Sequence, residues 1–144
     1  MKTRVLVLVP YSVRPDQIGS YVDQQLVQHR FGENGPRVGR RFDYLLGPLE
    51  TCFDDKVTEE RLPPKIRRSF QGNICEMNRL PTNVNSGAVV TPDRIWHDFG
   101  DFGKKMTEKP TQVNQDAARR WEVRVRELLS SHPDCWVVAI WAHS

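Results

Sequence analysis

The chain has 144 residues, with 38% hydrophobic and 27% charged side chains and a formal charge of +3. That is one domain's worth of chain, with enough apolar residues to build a core without staples. These proportions exclude wholesale disorder and collagen-like structure, and the small charge excess does not by itself require a nucleic-acid partner.

The first predicted element is a strand over Arg4 to Pro10, whose continuous run Val5-Leu6-Val7-Leu8-Val9 implies burial on both faces and a central place in a sheet. The run is too short for a signal peptide or a transmembrane helix, so the chain is expected in the cytoplasm, without a membrane partner. A turn over Ser12 to Pro15 leads into a helix, with Asp16 as its expected N-cap. Ile18, Val22, Leu26 and His29 form one helical face, flanked by Tyr21 and Gln25 and running to about Arg30. Glycines 32, 35 and 39 with Pro36 mark a loop over 31–40. A second strand is predicted over 41–46, stopped by Gly47-Pro48. Residues 49–87 lack a sustained period and read as a long insertion, with one short helix before Pro63 and a short strand near Asn73 to Met77.

Ala88-Val89-Val90 and Arg94-Ile95-Trp96 flank Thr91-Pro92-Asp93, a turn in which proline presets φ and the carboxylate bonds nearby amides. This predicts a small hairpin, followed by a loop over 98–110. From Asn114 to Ser131 the apolar set Ala117, Ala118, Trp121, Val125, Leu128 and Leu129 makes the clearest helix, with Trp121 at its centre. Pro133-Asp134 is a turn, and Cys135 to Ala142 is the last strand. The order implies a single α+β domain over 1–144, a ferredoxin-like βαββαβ sandwich with the long insertion at about 49–87 between the central strands and both helices on one face of the sheet.

No nucleotide-binding glycine motif, serine-hydrolase elbow or metal-ligating histidine spacing occurs, and no cofactor is expected. Three cysteines without CxxC spacing argue against a disulfide framework and a zinc site. Asp54-Asp55, with Glu50 and Cys52 nearby, reads as a solvated acidic turn. Trp96-His97-Asp98 is the densest polar-aromatic cluster. Neighbouring strand residues face opposite ways, however, so adjacency does not make an acid–base dyad. His143, near the end of the last strand, is a second candidate histidine, for a site shared with His97 at a sheet edge. Lys65, Arg67 and Arg68, with Phe70 beyond, form a basic-aromatic patch of the kind that pairs phosphates and stacks a base. Trp141 falls on the strand face opposite Trp136, Val138 and Ile140, where an exposed ring would mark a ligand surface.

Val89-Val90-Thr91-Pro92-Asp93 followed by Trp96-His97 resembles the VVTPDGxWH segment of a family of small proteins of uncharacterised function. They come mainly from bacteriophages and from actinobacterial and other bacterial genomes. The closing Cys135-Trp136-Val137-Val138 through His143 is similar to that family's vvvvDxH, and Phe42-Asp43-Tyr44 to Gly47 takes the place of its WDWYxIGGRW. The helix from Asp16 to Leu26 also resembles the family's opening, so the likeness covers most of the chain. Three positions depart from the pattern. Gly47-Pro48-Leu49 replaces Gly-Gly-Arg-Trp, Trp141 replaces the Asp, and Arg94 stands at the turn Gly.

The expectation is a non-enzymatic binding protein, phage-derived and of accessory or anti-defence type. It would capture a small anionic, nucleotide-like ligand or a host protein through His97, His143, Trp96, Trp141, Lys65, Arg67 and Arg68. The pocket is expected between the 49–87 insertion and the sheet end carrying His97 and His143. The alternative is a small hydrolase or nuclease using His97 and His143 as acid and base. It ranks lower because position 141 lacks the carboxylate that would orient an imidazole. Nucleic-acid binding through Lys65, Arg67 and Arg68 ranks third.

Overall fold

The computed structural model describes residues 2–31, 43–46, 53, 55, 58, 60–70, 72–82, 84, 86–98 and 112–143. Six strands form one sheet: β1 (Lys2–Pro10), β2 (Asp43–Leu46), β3 (Ile74–Glu76), β4 (Ala88–Val90), β5 (Trp96–Asp98) and β6 (Cys135–His143). Helices α1 (Ile18–Phe31), α2 (Pro64–Phe70) and α3 (Gln112–Ser130) accompany them, and Thr58 and Glu60 are also helical. The predicted loops over 31–40 and 98–110, the Gly47-Pro48 stop and Asp54 fall wholly or largely outside the described residues, while Asp55, expected in a solvated acidic turn, has a side chain only 11% exposed and ion-paired to Arg79.

The strand order is β2-β6-β1-β4-β5, with β3 also pairing β6. β6 runs antiparallel to β1 along its whole length, from Lys2↔His143 to Pro10↔Cys135. Its other edge is shared end to end: β2 pairs residues 140–143 and β3 pairs residues 136–138. β1 and β4 are parallel, and β4 and β5 form the expected antiparallel hairpin.

The α+β composition stands, but this is not a simple ferredoxin-like order. With the insertion between the two central strands, a ferredoxin-like order would place β4 parallel beside β1, as found, and β2 next to β4; here β2 lies at the opposite side of the sheet, paired with β6. The helices also differ from expectation, since they cover opposite faces of the sheet. Val5, Val7 and Val9 pack with Ile18, Val22 and Leu26 of α1 and with Phe70 of α2. Leu6 and Leu8 pack with Trp121, Val125, Leu128 and Leu129 of α3. The cause is the apolar run of β1. With every residue from Val5 to Val9 fully buried, both faces of the central strand need cover.

Local signals account for the element ends. Arg14, in extended backbone, precedes a 3-10 turn over Pro15–Gln17 and makes no side-chain cap; Asp16 lies inside that turn, ion-paired to Arg14 at 3.1 Å, and is not the N-cap. Thr58 and Glu60 are helical, in line with a short helix before Pro63, and a further helix follows it, with Pro64 at the first helical position, where the missing N–H costs nothing. Gly72, at φ 80°, supplies the left-handed residue between α2 and β3. Trp121 is fully buried, and its indole N–H donates to the Ser86 carbonyl at 2.7 Å.

Candidate functional site

The β1–β6 pairing closes where Tyr11 N donates to the Asp134 carbonyl at 2.9 Å. This is the carboxyl end of β1 and the start of the antiparallel β6. A cleft of about 480 Å³ opens there, within the usual size range of small-molecule sites. Four separated stretches of chain build it. The turn after β1 gives Tyr11, the 49–87 insertion gives two stretches, one with Arg61 and one with Glu76 and Asn78, and the turn into β6 gives Asp134 and Trp136.

Each wall has a local reason. Trp136 pairs with Val9 on one side and with Glu76 on the other, which fixes its ring at the mouth of the sheet. Tyr11 meets that ring edge-on, with centroids 5.1 Å apart and planes at 85°. The Tyr11 hydroxyl accepts the Met77 N–H at 3.2 Å, leaving its own proton to donate; burial raises its pKa. Glu76 ends β3, and its backbone N–H donates to Thr58 Oγ1 at 3.2 Å. Thr58 in turn donates to Asp55 Oδ2 at 3.0 Å, and Asp55 takes Arg79 Nε at 2.7 Å. Burial pushes the Asp55 carboxyl up, but the Arg79 and Thr58 hydrogen bonds outweigh it and hold the group below its ordinary value.

The Glu76 side chain is only 4% exposed, while its partner Arg61 is 66% exposed. Arg61 Nη1 lies 3.0 Å from Glu76 Oε1, an ion pair by distance. The N–H does not point along that line, so Oε1 is a buried oxygen without an aligned donor. Burying such an atom is costly, and structures normally satisfy it. Cys75, next to Glu76, has its thiol pushed up to about 12 by burial and then by Asp55; Cys135, beside Asp134, is pushed up to about 11 by burial. Neither thiol has nucleophilic character.

The residues singled out from the sequence lie elsewhere. Trp96 is a core residue, 6% exposed, whose indole donates to buried Asp98 at 2.9 Å. His97 points the other way. Thr91 Oγ1 donates to Asp93, which leaves His97 Nε2 as the donor to Thr91 at 3.2 Å. The Thr91 hydrogen bond lowers the Asp93 pKa. The group closes the hairpin. His143 pairs with Lys2, whereas His97 pairs with Val89, which sits beside Leu6. The two histidine backbones therefore stand three strands and four residue rows apart, roughly 20 Å by strand spacing and rise. An acid–base pair needs hydrogen-bond reach to one substrate atom, which this separation denies.

Trp141 is half-buried, with the Arg4 guanidinium 5.1 Å over its ring. Lys65 and Arg68 are exposed on α2, and Arg67 Nη2 donates to the Leu62 carbonyl at 3.2 Å. Phe70, the aromatic of that patch, is 2% exposed and faces the core, so it is not a stacking platform for the basic residues. Among the described residues no helix is long and apolar enough to cross a membrane, and no group of His, Cys, Asp and Glu is placed to hold a metal ion. Compared with known protein families, curated proteins and solved structures, the chain matches none.

Proposed function

We propose that this chain is a small-molecule-binding protein, that its ligand site is the cleft at the carboxyl end of β1, and that it captures its ligand without chemical turnover. The observation that carries this reading is Glu76. A nearly fully buried carboxylate with an oxygen lacking an aligned donor lines a ligand-sized cleft walled by Tyr11 and Trp136. An aromatic wall with a few converging polar groups is the usual make-up of such sites. The likeness to phage-borne proteins supports an accessory or anti-defence role for this capture. The charge balance of the cleft moves the ligand away from the anionic expectation, because Glu76 and Asp134 outnumber Arg61 there.

The test is a fragment screen read by chemical shifts of the Trp136 indole and the Tyr11 ring, followed by recovery of each binder after denaturing the protein. Binders that shift Trp136 and Tyr11 and return intact support capture. Shifts confined to the surroundings of His97, or a chemically altered binder, sink the reading.

A further inference from the structure

We infer that the cleft recognises a planar cationic head of the amidinium or guanidinium class, and that Arg61 is a built-in occupant which such a ligand displaces. The inference rests on the cleft being the ligand site. Glu76 fixes one partner. Its backbone is locked by the pairing with Trp136 and by the Thr58 hydroxyl, and its carboxylate is buried, so the acceptor is held in place before any ligand arrives. Arg61 is the opposite kind of partner. Its side chain is two-thirds exposed, it approaches Glu76 Oε1 to 3.0 Å without aligning an N–H, and holding it there costs rotamer freedom. A guanidinium is therefore already at the carboxylate, but loosely.

A free ligand with the same fork of N–H donors has three advantages over Arg61. It can align on Glu76 as a charge-assisted, two-bond pair. It meets a second acidic residue, Asp134, in the lining of the same cleft. Its flat cationic face suits the Tyr11 and Trp136 rings, which attract cations electrostatically. An anion of the same size meets two carboxylates and only one cation. Arg61 then tunes affinity by competition and keeps the buried Glu76 charge compensated while the cleft is empty.

Benzamidine, benzamide and benzoate, nearly identical in shape and differing in charge, test this by titration against the Trp136 indole signal. In the unsubstituted protein benzamidine is expected to bind about tenfold or more tighter than benzamide, and benzoate to cause no shift. Arg61→Ala removes the competitor. It is expected to tighten benzamidine binding about tenfold, and benzamidine should raise the melting temperature of Arg61→Ala more than that of the parent. Glu76→Gln is expected to abolish the preference for benzamidine. Should that variant fail to fold, Asp134→Asn provides the same test with a smaller loss.

Benzoate binding tighter than benzamidine, with Arg61→Ala abolishing it, would make the cleft an anion site and overturn the inference while leaving the site reading intact. Failure of all three probes to shift Trp136 while other fragments do overturns the ligand class alone. Failure of every fragment overturns the site as well.

Discussion

Trp121→Ala tests the layer arrangement directly. The ring is fully buried on the α3 face, packed with Leu6, Leu8, Val89, Val137 and Ala139 of three strands and with Phe53. Truncating a buried aromatic costs about 3–5 kcal/mol through lost transfer energy and the cavity left behind. The indole N–H also donates to the Ser86 carbonyl at 2.7 Å, and leaving a buried acceptor unmet costs about 1–3 kcal/mol. A domain of this size holds about 5–15 kcal/mol in total, so Trp121→Ala is expected to be marginal or unfolded at room temperature. Trp121→Phe keeps most of the volume and loses the hydrogen bond, for an expected cost of about 1–3 kcal/mol. Urea titrations followed by far-ultraviolet circular dichroism, which does not depend on the lost fluorophore, give both numbers from the shift in midpoint at constant slope. If Trp121→Ala lies within about 1 kcal/mol of the parent, α3 does not cover the sheet as described.

The other expectations are smaller. Asp55 carries a carboxyl held below its ordinary value in the folded chain, so its contribution is full above the unfolded value of about 3.9 and drains as pH falls through the lower folded value. Asp55→Asn should flatten the acid limb of the stability profile in that window, and an unchanged limb would show that Arg79 is not its partner in solution. Arg94 sits at φ 67°, a left-handed conformation that costs an L-residue about 1–2 kcal/mol, and the likeness to VVTPDGxWH places a glycine there. After the extra chain entropy of glycine, Arg94→Gly should raise the melting temperature by about 2–4 °C, and a decrease would mean the Arg94 side chain contributes more than the strain removes. Cys75 and Cys135 should react with a thiol reagent only on unfolding, since both are buried with raised pKa values. Fast labelling of either in the native protein would contradict their placement.

Much of the fold was legible because its signals are local. The Val5 to Val9 run, the Ile18-Val22-Leu26-His29 face and the Trp121-centred face all gave their elements, and those faces are buried. The layer count went astray for a reason visible in the same residues: a strand with no exposed side chain cannot belong to a sheet with one bare face. Strand order depends on long-range pairing between β1 and β4, separated by the whole insertion, and periodicity carries no record of it. The cleft was illegible for the same reason. Tyr11, Arg61, Glu76 and Asp134 each sit in ordinary local surroundings, and only the β1–β6 and β3–β6 registers bring them together. The conspicuous clusters do not converge on this cleft, because density in sequence is not convergence in space. Trp96, His97 and Asp98 alternate across the sheet, and their hydrogen bonds join a core pair and a turn.

Glu76 also offers a way to separate architecture from function. If its carboxylate serves the fold, a neutral apolar residue in its place should destabilise the protein. If it serves a ligand, the fold tolerates the charge at a cost. Exchanging a buried ion pair for apolar packing is often neutral or stabilising, by about 1–4 kcal/mol when both partners are buried. Here only Glu76 is buried and Arg61 remains free to enter water, so the gain should be smaller, about 0–2 kcal/mol. Glu76→Met keeps an unbranched side chain of similar length and retains the backbone N–H bond to Thr58. The expected outcome is a urea midpoint equal to or above that of the parent, together with loss of benzamidine binding. That combination is the stability–function trade-off of a binding residue. A loss of about 2 kcal/mol or more would show instead that the carboxylate holds β3 to its neighbours, and the case for a ligand at this end of the sheet would lose its main support.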